Sequence, residues 1–461
     1  MESRSNSFSL SVVAAASSGN VNLIIPTVGF RSLDPQDDPI NPWRRPDGVS
    51  PWMNTSDWAY QGLAHYSGAA FSSTYGTMGG YVLSGGGHAG YFGGEVYVYD
   101  IGANRWRRLN FPYENSTRTG VMQSFRNYVE ANPYRLSPSM RGAVGLGGSS
   151  WVAPAGFDPV WGDWDARFPE GTETYDLLEV VPPALGGATV GTLVMLGSGS
   201  MAGWGRIGRG IWKCPLGTGK WARVTQIPST VRVNSGDGGT CLDPRRGVFY
   251  QLHEGANVYA FNFRAKTYTW LSAFPNVVTV DSCCTFHQAA DLLIYMRTYL
   301  NRGATPNQEL PRLYAWSPVT RTTMRLNCVG QIPSYSGTPA TGFASRTMGV
   351  EYCPANKALY TFSLKRTPIY DGISDRFSVW RCMPPAGAVT TQDYLAGTWT
   401  WRLDNGAGSG YTGVTLTASQ MRYHFQIGCY NRFRWVPSMG AFIATTYNGD
   451  GGIIVVKPKG V

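Results

Sequence analysis

Five histidines and eight cysteines are the residues of this 461-residue chain best suited to hold a metal or move a proton. His65, His88, His253, His287 and His424 form no recognisable pair. The cysteines (Cys214, Cys241, Cys283, Cys284, Cys328, Cys353, Cys382 and Cys429) include no C-x-x-C spacing. Metal and redox motifs need such clusters, so the spacing supports neither a metal site nor a cofactor. Asp158, Asp163 and Asp165 offer oxygens to Ca²⁺, but their spacing fits no EF-hand loop. Residues 235–241 (SGDGGTC) place Ser235, Asp237 and glycines as a turn would, without need of catalysis. No local motif supports a hydrolase, and the expectation is a non-catalytic protein.

Recognition chemistry is better represented. His88 and Tyr91 lie in GGGHAGYFGGE, and Trp204 and Arg206 lie at the matching place of a later unit. Together they could contact a ligand. The plainer alternative is that His88 bonds a neighbouring backbone while Tyr91 fills a seam. Trp161 and Trp164 belong to an aromatic and acidic run with Trp151, Phe157, Asp158, Asp163 and Asp165. Indole faces beside carboxylates suit a sugar ring or the groove of another protein, although a loop packed on its own rings is the simpler reading.

Residues 80–109 show what must position these groups. Tyr81, Val82 and Leu83 run into Gly85, Gly86 and Gly87, then an alternating strand (Val96 to Tyr99), a turn (Asp100 to Asn104) and Trp106. This unit resembles the kelch repeat, one four-stranded blade of a β-propeller. Its anchor is a polar or small residue followed six positions later by Trp. Pro215 to Trp221 repeats it, and Asn262 to Tyr268 keeps the spacing with Trp270 two further on. Residues 313–326 carry Thr323 where Trp belongs, a fifth unit ends in Trp399 and Trp401, and residues 432–457 offer three strands. The 57 glycines, about 12% against a usual ~7%, and the period-2 apolar alternation fit the same architecture. The fold expected is an all-β propeller of six four-stranded kelch-like blades, with seven the other count the length allows, and almost no helix. Residues 1–59 form an N-terminal arm and 60–461 the propeller, interrupted by an insertion at 114–172. The last unit lacks a fourth strand, for which Asn22 to Val28 and Asp57 to Leu63 are the candidates.

The formal charge is +10, from 32 Arg and 7 Lys against 29 acids. The arginines are scattered in small groups such as Arg432 with Arg434, not in the basic runs of a nucleic-acid binder. Arg beside Trp and Tyr suits protein interfaces, so other protein subunits are the expected partners. No stretch reaches the ~18 apolar residues of a membrane span, and residues 9–16 are weakly apolar after a single Arg4, a poor secretory signal. Cys283 and Cys284 point to opposite faces of a strand, and the scattered cysteines read as buried free thiols of a reducing compartment.

SGAAF (67–71), GGGHAGYFGGEVYVYD, TYDLLEV (174–180) and RFRWVPS together resemble kelch-like β-propellers encoded by proteobacteria and their tailed phages. That resemblance implies the fold and the setting, and within it the poor signal and missing catalytic motif lead us to expect a virion component (tail, fibre or head decoration) making protein or receptor contacts. The alternative it leaves is a secreted or periplasmic propeller that binds host or other surface glycans, with or without glycan processing.

Overall fold

A computed structural model describes residues 68–84, 96–103, 105–110, 169, 174, 176–197, 209–231, 239–253, 257–274, 283–297, 312–330, 349–363, 378–404, 431–445 and 453–458. They form six antiparallel blades. Blade I comprises β1 (Ala69–Ser72), β2 (Gly80–Ser84), β3 (Val96–Asp100) and β4 (Arg105–Arg108). Blade II comprises β5 (Leu178–Val181), β6 (Thr192–Leu196), β7 (Gly210–Pro215) and β8 (Ala222–Gln226). Blade III comprises β9 (Thr240–Asp243), β10 (Val248–His253), β11 (Asn257–Asn262) and β12 (Thr267–Ala273). Blade IV comprises β13 (Cys283–His287), β14 (Leu292–Arg297), β15 (Arg312–Trp316) and β16 (Thr323–Arg325). After β17 (Asn327–Gly330), blade V comprises β18 (Glu351–Cys353), β19 (Ala358–Ser363), β20 (Ser378–Met383) and β21 (Thr398–Leu403). Blade VI shows β22 (Arg434–Val436), β23 (Ala441–Thr445) and β24 (Ile453–Val456). The innermost strands touch in the order β1, β5, β9, β13, β18, β22, and β22 returns to β1. The ring is closed and has six blades.

Each blade has two neighbours, and burial follows from that. β3, β6 and β13 are buried at every position, so inside the ring period-2 polarity disappears. It survives on outer strands such as β21, where buried and exposed residues alternate. Trp106 is buried between blades I and VI against Val436, Ile443 and Val455. Trp221 is buried between blades II and I against Ala70 and Val82. Tyr268 packs into the seam of blades II and III, while Trp270 on the same strand is 56% exposed. In blade IV the missing ring is replaced from the next strand. Trp316 of β15 pairs in register with Thr323 and is fully buried against blade III. Trp399 and Trp401 are buried between blades V and IV. Tyr360 and Phe442 join blades V and VI, with ring centroids 4.8 Å apart.

Among the described residues one α-helix, α1 (Thr391–Ala396), lies between β20 and β21 in a Pro/Gly-rich stretch. Its signal is Thr390-x-x-Asp393. The Thr390 hydroxyl accepts from the Asp393 amide, and the Asp393 carboxylate accepts from the Thr390 amide.

Strand direction sorts every connection onto one of two faces. Turns between first and second strands, and between third and fourth, share one face, and all but residue 104 are described. The corners between first and second strands of blades III to VI each end in a left-handed residue: Gly247, Asp291, Lys357 and Gly440. At the opposite face lie the strand ends joined by the connections from second to third strands and from blade to blade, of which 85–95, 198–208, 298–311, 331–348, 364–377 and 405–430 lie outside the described residues. Residues 1–67, and thus the arm 1–59 with both candidate closing strands, lie outside the described residues. So does the insertion 114–172, except residue 169.

Candidate functional site

The inner strands all begin at the face of long connections, and there a polar hub takes a group from every blade. Arg434 of β22 is its centre. Its Nε donates to Ala69 O of blade I at 2.7 Å, and its Nη2 donates to Leu178 O of blade II at 3.3 Å. Its Nη1 lies 3.2 Å from Glu179 Oε1 and 3.6 Å from Glu351 Oε2 of blade V. Nη2 stands 3.6 Å from Asp176 Oδ1. Asp176 extends the network further round the ring. The Cys284 amide of blade IV donates to its Oδ2 at 2.9 Å, and Asn431 Nδ2 of blade VI donates to its Oδ1 at 2.7 Å. The backbone of Asp176 bridges Gly239 before blade III, whose Thr240 N–H donates to Asp176 O. Gly239 is required here, because a Cβ would sit 2.4 Å from Cys284 N and 2.7 Å from Asp176 Oδ2.

Three carboxylates around one guanidinium in a buried site cannot all ionise without penalty. Burial pushes the Asp176 carboxyl well above its ordinary value, against the pull of Arg434, the Cys284 amide and Asn431. Burial also raises Glu179, again opposed by Arg434. Glu351 is pushed up to about 7 by burial, with Glu179 adding to the rise and Arg434 opposing it. Arg434 stays charged, since the three acids more than offset its own burial. The side chains of Glu179 and Glu351 are 13% and 16% exposed, whereas Arg434 is 6% and Asp176 1%. The two glutamates are therefore the hub's contact with solvent. A carboxyl near 7 can hold or release a proton at neutral pH. Both Glu351 oxygens are nevertheless engaged, Oε1 by the Trp435 amide at 3.3 Å and Oε2 by Arg434.

His88, Tyr91, Trp161, Trp164, Trp204 and Arg206 all lie outside the described residues, on segments that join strand ends at the same face as the hub. His287 is buried and structural. Its Nε2 bonds Lys357 O, its Nδ1 accepts from the Ala290 amide, and burial holds its pKa down at about 4. Arg432 and Arg434, one of the small basic groups of the sequence, are both buried, 3% and 5% exposed, and Arg434 is held by the axial acids. Seven cysteines are free thiols, six of them buried. Among the described residues no group of three or more His, Cys, Asp or Glu is arranged to hold a metal. No described helix is long and apolar enough to cross a membrane.

The hub was missed in the sequence, although a signal was present. Asp176, Glu179, Glu351 and Arg434 each interrupt an apolar strand (DLLEVV, VEYC, FRWV), and an ionisable residue inside such a run is seldom left without a buried partner.

No protein-family model matches this chain, and no curated protein matches it. Among solved structures it is similar to a structural-genomics protein of unknown function from Bacteroides thetaiotaomicron, at 8% identity and a TM-score of 0.41 over 86% of this chain and 70% of that one. It is also similar to a chain of the mitotic checkpoint complex, at 8% identity and a TM-score of 0.36 over 86% of this chain and 89% of the other.

Proposed function

We propose that this chain is a non-catalytic binding propeller whose recognition surface is the face of long connections. In this reading it is made in a host cytoplasm and serves in a tailed-phage particle, as tail, fibre or head decoration, contacting other protein subunits or a receptor. One observation carries the proposal: the ring is closed through all six blades by a single ion-paired hub, and the strand ends that the long connections join lie on the hub's face. Such an arrangement suits a rigid platform with variable loops. The engagement of Glu179 and Glu351 by Arg434 supports a structural role for them. The insertion 114–172, with Trp161 and Trp164, is the strongest contact segment by composition.

Joining residues 113 and 173 by a short Gly-Ser loop tests this directly. The variant should keep the wild-type circular dichroism and thermal transition but be absent, by mass spectrometry, from particles purified from the encoding host. Incorporation equal to wild type refutes the recognition role of the insertion, and absence of the wild-type chain from particles refutes the setting. A second reading, a secreted or periplasmic propeller that binds or processes surface glycans, draws on Glu351. A carboxyl near 7 beside a second glutamate is the acid–base mixture that glycoside hydrolysis uses. Glycan-array binding, or hydrolysis abolished by both Glu179→Gln and Glu351→Gln, would favour it.

A further inference from the structure

The outer strands of blades I, II and IV all carry arginine: Arg105, Arg107 and Arg108 on β4, Arg223 on β8 and Arg325 on β16. β12 of blade III differs. Its seven residues (TYTWLSA) include no charge, no glycine and no proline, and each is exposed or half-buried. It ends its sheet, and among the described residues no strand pairs with its outer edge. Blade V shows how such an edge is extended, because β17 pairs in parallel with the outer strand β21. A long, uncharged edge of β-branched and aromatic residues is a template for another strand. The one irregularity in β12 is a bulge at Leu271, which leaves Thr267 to Trp270 as an unbroken pairing run.

Trp270 lies at the end of that run. It is 56% exposed, yet its Nε1 donates to Asn257 Oδ1 at 3.0 Å. An exposed ring already held in place loses less freedom on contact.

Charge and pleat together select the occupant. The chain carries +10, which opposes contact between two copies, so a self-contact belongs where the edge is uncharged. Paired residues share a face, so two antiparallel copies related by a twofold axis must put a residue on that axis. With Thr269 there, Tyr268 lies opposite Trp270 of the second copy, and Trp270 opposite its Tyr268. Thr267 meets Leu271 only at the ends, where the bulge disturbs least. Aromatic pairs flanking a Thr–Thr pair are among the cross-strand contacts that stabilise sheets. Lys266, the charge nearest the strand, falls opposite Ser272. The two lysines then stand six residues apart along the ladder, roughly 20 Å, well beyond the ~8 Å screening length.

We propose that the outer edge of β12 is a self-association surface, where a second copy of this chain pairs antiparallel about Thr269 and two blades become one eight-stranded sheet. The surface lies on the perimeter and is separate from the face of long connections, so its failure would leave the reading of that face untouched. One strand pair buries less than a standard interface, and the dimer is therefore reversible.

Sedimentation velocity of the full-length chain, diluted from about 100 μM, should show a dimer giving way to monomer. Thr269→Arg sets two guanidinium groups on the axis. It should abolish the dimer while the thermal transition of the dilute protein stays that of wild type. Thr269→Cys reads the register, since paired Cα atoms of an antiparallel ladder stand ~4.5–5.5 Å apart, within disulfide range. Mild oxidation should link two copies through residue 269. Thr267→Cys places its sulfurs roughly 14 Å apart along the ladder and should stay unlinked, as should wild type. A chain monomeric at every concentration, a dimer that survives Thr269→Arg, or equal linking at 267 and 269 overturns the proposal. So does a monomer whose β12 amides resist hydrogen exchange at every dilution, because the chain's own residues would then cover the edge. If Thr269→Arg fails to fold, the two cysteine variants decide the matter.

Discussion

On one face of the ring, hairpin corners are set by backbone conformation: Gly247, Asp291, Lys357 and Gly440 adopt the left-handed state that closes each turn. On the other, the same inner strands begin with side chains that converge on Arg434. The first face is built from local geometry repeated blade by blade, with contacts that join a corner to its neighbours. The second is built from groups up to 365 residues apart, so a change there reaches every blade. The short-turn face also has inter-blade contacts, among them a clamp in which Arg246 pairs with Asp243 and with Asp291 of the next blade. Its arginine is 35% exposed and screened by solvent. The hub is not screened in this way.

The contrast is sharpest at the point of ring closure. Among the described residues blade VI has three strands, and the sequence offers Asn22 to Val28 and Asp57 to Leu63 as candidates for a fourth. Deleting residues 1–63 should leave the outer edge of β24 unpaired, and the expected outcome is aggregation, seen by size-exclusion chromatography. A truncated chain that elutes as a stable monomer breaks this account of closure.

Arg434→Leu comes next in size. It strands three carboxyls at the axis, and breaking a buried ion pair by removing one partner costs about 3–5 kcal/mol. Urea unfolding should show that loss in full, whereas Arg246→Leu on the opposite face should cost well under half as much. Equal losses would erase the distinction between the faces. Trp106→Ala, at a seam common to both faces, should cost roughly 3–5 kcal/mol through the cavity it leaves. The exposed Trp270→Ala is its control and should stay within about 0.5 kcal/mol.

The smallest effect is the dependence on pH. Glu351 has a folded pKa raised to about 7 from 4.5, so the folded state binds the extra proton. Its contribution is complete below about 4.5 and is lost as pH rises through 7. His287 opposes it: with a folded pKa of about 4 against 6.5, its contribution is present above 6.5 and lost as pH falls through 4. In thermal melts, the wild-type advantage over Glu351→Gln should therefore shrink as pH rises from 5 to 7.5. A difference that is flat with pH would show that Glu351 does not titrate in the hub.

Much of the ring was legible in the sequence, because its seams are made by large rings at a recurring spacing from a turn. Trp106, Trp221 and Tyr268 occupy the seams their spacing predicts. Blade IV hid its wedge by moving it one strand inward to Trp316, where a search for a fixed interval does not look. A second repeat went unread: Pro244 to Gly247, Pro354 to Lys357 and Pro437 to Gly440 each place proline three residues before a left-handed corner. The hub was illegible for a different reason. TYDLLEV and RFRWVPS stood out as segments, but nothing along the chain says that Asp176 and Glu179 face Arg434. Only closure of the ring brings them together.

The continuous run from β16 into β17 has a mechanical consequence. Thr323–Arg325 pairs within blade IV and Asn327–Gly330 pairs within blade V, with Leu326 alone between them. The run crosses the perimeter like a hoop stave nailed to two neighbouring panels. A load that pulls blades IV and V apart must shear two ladders of backbone hydrogen bonds, whereas a load on blades VI and I meets side-chain packing and the grip of Arg434. Under tension the ring should part where its two ends were joined, and the stapled pair should come away as one piece.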